Sequence, residues 1–157
     1  MDGISPCLWF DTQGEEAANF YVSLFPNSRI TRVSRYGDAG PRPAGTVMTV
    51  DFELDGRPFI ALNGGPEFTF NEALSLQIDC ADQEDVDYYW DKLGEGGEYG
   101  PCGWLKDKYG LSWQVVPTLL IELVNDPDPE KSQAVMSAML AMGKIDVGEL
   151  QAAYDAA

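Results

Sequence analysis

The chain has 157 residues, 45% of them hydrophobic and 23% charged, which is the content of one globular domain able to bury a real core. Its 26 acidic residues outnumber 10 basic ones for a formal charge of −16, a field that repels phosphate backbones and anionic lipid, so neither a nucleic-acid nor a membrane-surface partner is expected. There is no histidine, and the three cysteines, Cys7, Cys80 and Cys102, are widely spaced. The commonest general base and metal ligand are therefore missing, and neither a disulfide framework nor a zinc knuckle is expected.

The stretch from Met1 to Phe10 has no basic segment leading into an apolar one, and no apolar run approaches the roughly 20 residues of a membrane span. A cytoplasmic location is the expectation. Ile4 to Phe10 reads as a strand. Thr12-Gln-Gly-Glu15 reads as a capping box ahead of a helix carrying Ala17, Ala18, Phe20, Tyr21, Leu24 and Phe25 at helical spacing, which Pro26-Asn27 stops. Ser28 to Tyr36 alternates as a strand, and Gly37 to Gly45 is a loop by its glycines and prolines. Thr46 to Leu54 and Arg57 to Asn63 flank Asp55-Gly56, a strong hairpin signal, and Asn63-Gly-Gly-Pro66 closes the segment.

The plan then repeats. Leu74 to Cys80 is strand-like, and Asp82 caps a helix with Val86, Tyr89, Trp90 and Leu93 on one face. The glycine-rich connection Gly94 to Gly100 leads to Gly103–Lys108, a turn at Tyr109-Gly110, and Leu111–Val116. After Pro117 the character turns helical. Leu119 to Asn125 suits a short helix, Asp128-Pro129 starts another, and Asp146 with Glu149 forms a further cap. The fold expected is α+β: two tandem βαβββ modules over about 1–66 and 73–117 in one domain, with a C-terminal helical extension over about 118–157.

This duplicated plan resembles the vicinal oxygen chelate (glyoxalase/bleomycin-resistance) superfamily. Several strings resemble its PhnB-like branch, which carries a historical label of 3-demethylubiquinone-9 3-methyltransferase. They are Glu16-Ala-Ala-Asn-Phe-Tyr21, Leu62-Asn-Gly-Gly-Pro66, Cys102-Gly-Trp-Leu-Lys-Asp107, Tyr109-Gly-Leu-Ser-Trp-Gln114 and Met142-Gly-Lys-Ile-Asp146. The likeness implies sheets that curl into a cup lined by alternate strand residues, and a homodimer. Members often hold a divalent metal there through His, Glu or Asp, His and Glu. Those positions fall here at Pro6, Ala61, Ala73 and Gln114, three of which have no ligating side chain, so neither a metal nor any other cofactor is expected. A methyl donor usually sits on a glycine-rich strand-to-helix turn in a parallel sheet, whereas Gly94–Gly100 follows a helix and precedes a strand.

With Gln114 facing the cup, period-two alternation sets Ser112 and Val116 beside it and turns Trp113 and Val115 away. The same logic groups Asn63 with Ala61 and Phe59, and Gln77 with Ala73, Ser75 and Asp79. The expected ligand wall is Phe59, Asn63, Ser75, Gln77, Cys102, Trp104, Ser112 and Gln114, suited to a neutral or weakly polar small organic molecule. Asn63-Gly64-Gly65-Pro66 offers backbone donors or is simply a tight turn. Cys102 has only Lys106 or Lys108 as a nearby activating group, so an ordinary thiol is favoured. Asp79 and Asp107 are acids or bases, or solvated caps or ion pairs. Trp9, Trp90 and Trp113 are read as core between helix and sheet. Met136, Met139 and Met142 suit either a subunit interface or packing within the chain. Two functions fit: a metal-independent protein that captures a small organic compound, or an enzyme of unassigned reaction using the same cup. A purely structural dimer leaves the polar wall without a role.

Overall fold

The computed structural model describes residues 3–157. Met1 and Asp2, which open the module expected over 1–66, lie outside them. The chain forms two compact units divided between Phe70 and Asn71, each built as strand, helix and three further strands. The mixed α+β class and the duplicated βαβββ order are as the patterning requires.

In the first unit β1 (Cys7–Phe10), α1 (Gly14–Leu24), β2 (Arg29–Arg35), β3 (Val47–Leu54) and β4 (Arg57–Asn63) make a sheet of order β1-β4-β3-β2. β1 runs parallel to β4, and the other pairs are antiparallel. Asp55 and Gly56 at φ 47° and 72° supply the left-handed pair that a tight hairpin demands. Alternation is strict on the buried side: Leu8, Phe10, Val50, Phe52, Leu54, Phe59 and Ala61 pack with Ala17, Ala18 and Tyr21. Phe52 stacks on Phe59 at 5.5 Å and on Tyr21 at 6.5 Å.

The start of α1 differs from expectation. Gln13, not Thr12, is the N-cap residue, and no side chain of the cap satisfies the first turn. Asn63 does so instead, accepting from the Gly14 amide at 2.7 Å while its Nδ2 donates to the Val47 carbonyl at 3.2 Å. The tertiary partner displaces the capping box because β4 delivers a fixed acceptor to the helix end. Trp9 also departs from its expected place. It lies half-buried on the sheet face away from α1, its Nε1 donating to the Gly65 carbonyl at 2.9 Å and its ring meeting Phe68 edge-on at 5.0 Å. A Cβ on Gly64 would fall 2.3 Å from that indole, so the glycine is needed for close approach.

The second unit holds β5 (Ser75–Cys80), α2 (Gln83–Gly94), β6 (Glu98–Tyr99), β7 (Trp104–Lys106), β8 (Ser112–Pro117), α3 (Thr118–Val124), α4 (Pro129–Leu140) and α5 (Val147–Asp155). Its sheet order is β5-β8-β7-β6, with β5 parallel to β8. The helix caps read from sequence are present: Asp82 accepts from the Asp85 amide, Asp128 from Glu130 and Asp146 from Glu149. Val86, Trp90 and Leu93 of α2 are buried, as are Leu105, Trp113 and Val115. The three C-terminal helices close their own core, Leu120, Leu123, Val135, Ile145 and Leu150, around Val116. Met139 and Met142 pack onto that core, whereas Met136 is exposed.

Asn63→Ala removes the acceptor for a buried amide and should lower the unfolding free energy by about 1–3 kcal/mol, read by urea denaturation. A change within about 0.5 kcal/mol would remove Asn63 from the scaffold. Cys80 is fully buried, and desolvation pushes its thiol up to about 12, with Asp85 adding to the effect. Alkylation of the native protein near pH 8 should leave Cys80 unmodified until denaturant is added.

Candidate ligand cavity of the second unit

Among the described residues three polar side chains are fully buried: Asn63, Asp107 and Ser112. Burying such a group costs free energy unless it is hydrogen-bonded. Asn63 is accounted for above. Asp107, expected as an acid, base or solvated cap, is 3% exposed and serves the scaffold: it accepts from the Tyr109 amide at 2.8 Å, the Leu111 amide at 3.1 Å and Trp113 Nε1 at 2.8 Å. Ser112 is different. At 1% exposure its Oγ has no hydrogen-bond partner in the protein.

The ladder registers explain what surrounds it. Trp113 is fixed to Asp107, so it and Val115 turn inward with Trp90 and Leu93, and Ser112 and Gln114 turn to the opposite face. Lys106 lies directly across from Ser112 and Trp104 directly across from Gln114. On the other side Ser75 is opposite Ser112, and Gln77 is opposite Gln114. Glu98 of β6 is paired with Lys106. One face thus carries two adjacent rows: Glu98, Lys106, Ser112 and Ser75, then Trp104, Gln114 and Gln77.

A cavity of about 500 Å³ opens on this face, lined by Glu72, Glu98, Tyr99, Gly100, Pro101, Cys102, Trp104, Leu105, Lys106 and Ser112. The Lys106 ammonium pairs with the Glu72 carboxylate, and both residues line the cavity. The hydrogen bond to Lys106 holds the Glu72 carboxyl below its ordinary value, and the same bond raises Lys106, with Glu98 adding to it. Cys102 sits in the left-handed region at φ 57°, and its amide donates to the Met142 carbonyl at 2.8 Å. Gly103 donates likewise to Gly143, so the segment after α4 clamps this wall of the cavity.

Of the ligand wall expected from sequence, Cys102, Trp104 and Ser112 line the cavity together. Gln114 shares their face, but its Nε2 donates to Ser75 Oγ at 2.9 Å. Gln77 is exposed and bonds Asp79 at 2.8 Å. Phe59 and Asn63 belong to the first unit and face α1, where Phe59 is core and Asn63 closes the helix end. In the Asn63–Pro66 string, expected as backbone donors or a tight turn, the Gly64 amide donates to the Phe10 carbonyl at 2.9 Å. Sequence reading missed Lys106, Glu72 and Glu98 as lining residues. Alternation from Trp104 finds Lys106, but nothing local reveals its pairing with Glu72.

The superfamily's metal positions do not fit a metal here. Pro6, Ala61 and Ala73 carry no donor atom, Ala61 packs toward α1, and the Gln114 amide is engaged by Ser75. Among the described residues no three His, Cys, Asp or Glu side chains gather into a set able to hold a metal ion. No helix of the described chain is long and apolar enough to cross a membrane.

The sequence model of the family described as 3-demethylubiquinone-9 3-methyltransferase matches residues 2–116. Among solved structures, a Bacillus cereus PhnB protein, titled a putative 3-demethylubiquinone-9 3-methyltransferase, is 38% identical with a TM-score of 0.66; the match covers 74% of this chain and 99% of that one. A Pseudomonas aeruginosa protein is 19% identical with a TM-score of 0.62, covering 74% and 98%. An Arabidopsis thaliana gene product is 16% identical with a TM-score of 0.51, covering 74% and 98%. No curated protein matches the chain. The duplicated βαβββ fold, the matched segment and the Bacillus cereus relative together place the chain in the PhnB-like 3-demethylubiquinone-9 3-methyltransferase family of the vicinal oxygen chelate superfamily.

Proposed function

We propose that this protein captures a small organic molecule in the cavity of its second unit, without a metal. One observation carries the reading: Ser112 buries a hydroxyl that no protein group satisfies, on the wall of a cavity of about 500 Å³. A buried orphan is unfavourable in the free protein and is relieved when a ligand atom meets it. The Trp104 indole beside it supplies a broad apolar surface, and Lys106 supplies a charge-assisted donor. Metal independence is supported by the donor set, since Pro6, Ala61 and Ala73 cannot ligate through side chains.

A methyltransferase chemistry, as the family description names, finds less support. The glycines before β7 serve close packing: a Cβ on Gly97 would fall 2.0 Å from the Lys106 carbonyl oxygen. Gly96 and Gly97 lie between α2 and β6, not on the strand-to-helix turn that cradles such donors. The proposal extends to a cytoplasmic homodimer with no nucleic-acid partner. The charge of −16 supports the last point, and Met136 and Leu140, exposed at 40% and 63% on α4, offer an apolar contact surface.

Ser112→Ala separates binding from folding. Removing an unsatisfied hydroxyl should leave the unfolding free energy unchanged or raise it by up to about 1 kcal/mol. Native mass spectrometry of freshly purified protein should show an organic adduct on the wild type that the variant retains about tenfold more weakly. A variant that is clearly destabilised, and that holds the adduct as well as the wild type does, would assign Ser112 to the scaffold. A stoichiometric divalent metal in the same spectrum would contradict metal independence.

A further inference from the structure

We infer that the molecule held in this cavity carries a carboxylate, and that Glu72 occupies the carboxylate's place on Lys106 until the molecule arrives. This deepens the binding reading above and rests on it. Lys106 and Ser112 are directly opposite on neighbouring antiparallel strands, a separation of about 5 Å between their Cβ atoms. A carboxylate has two oxygens, so one group satisfies both donors: one oxygen accepts from the Ser112 hydroxyl, the other from the Lys106 ammonium. Glu72 meets only half of that demand. Its carboxylate pairs with Lys106, yet the Ser112 hydroxyl stays unpartnered.

Glu72 is suited to yield. Its side chain is 61% exposed, on the segment just before β5, so the released carboxylate passes straight into water. An exposed ion pair of this kind is weakly held. Exchanging Glu72 for a ligand carboxylate also leaves the charge beside Lys106 unchanged. The acidic field of the whole chain, screened beyond about 8 Å at physiological salt, then affects the approach of an anion more than its bound state. Trp104, two residues from Lys106 on the same strand face, lies where a flat apolar body attached to that carboxylate would rest.

Calorimetric titration with 2-naphthoate and its neutral isostere 2-naphthamide tests the inference on the full chain. The wild type should bind the naphthoate more tightly than the amide. Glu72→Gln should tighten naphthoate binding about three- to tenfold and leave the amide unchanged, because Lys106 is no longer occupied. Glu67→Gln, an exposed residue outside the cavity lining, makes the same change in net charge and should do neither. Lys106→Met should abolish the preference for the naphthoate. If the amide binds as well as the naphthoate and Glu72→Gln alters nothing, the carboxylate assignment falls. The cavity reading then stands as long as Ser112→Ala still weakens the amide. If neither compound binds at millimolar concentration, the carboxylate-bearing arene is excluded, and the retained adduct decides the cavity reading separately.

Discussion

The second unit is organised by one buried carboxylate. Asp107 accepts two backbone amides of its own turn and the indole Nε1–H of Trp113, and these three bonds fix the register of the β7–β8 hairpin. A shift of one residue would send Trp113 and Val115 outward and turn Ser112 and Gln114 into the core, exchanging every side chain between faces. With the register fixed, Trp113 is buried on the side of the sheet that contacts α2, and the opposite face is left with hydroxyls, an ammonium, a carboxylate, two amides and an indole. The scaffold role of Asp107 is therefore the condition for the cavity. The same carboxylate, read as a catalytic group, would have had to give up bonds that the hairpin needs.

Residues beyond the family-matched segment complete the arrangement. That match ends at residue 116, and α3 to α5 follow it. Between α4 and α5, Met142 and Gly143 accept from the Cys102 and Gly103 amides. Ile145 is fully buried, and Lys144 pairs with Asp87 and Asp91 of α2. Gln83 Nε2 donates to the Ile145 carbonyl and its Oε1 accepts from the Val147 amide, so the extension is tied both to the helix and to the cavity wall. Two strings that look unrelated along the sequence, Cys102–Asp107 and Met142–Asp146, thus meet in space.

The element order, the Asp55-Gly56 hairpin and the caps at Asp82, Asp128 and Asp146 were legible because each depends on residues a few positions apart. The grouping of Ser75, Gln77, Ser112 and Gln114 on one face was legible for the same reason: alternation is local. Which face looks toward a helix is a tertiary fact: alternation groups Phe59 and Asn63 with Ala61, but only the folded unit shows that this face is buried against α1. The helix α1 cap illustrates the same limit. Thr12 and Glu15 matched a local motif, while the group that closes the helix end lies 49 residues away on β4. Lys106 and Glu72 escaped for this reason too, since neither one's local sequence announces the other.

We propose that a ligand atom supplies the partner that the buried Ser112 hydroxyl lacks within the protein. A high-resolution crystal structure of protein purified with its retained molecule tests it most directly. A polar atom of that molecule is expected about 2.5–3.2 Å from Ser112 Oγ, with its body against Trp104. A Ser112 hydroxyl bonded to a backbone carbonyl or a buried water, with the molecule bound elsewhere, would contradict it.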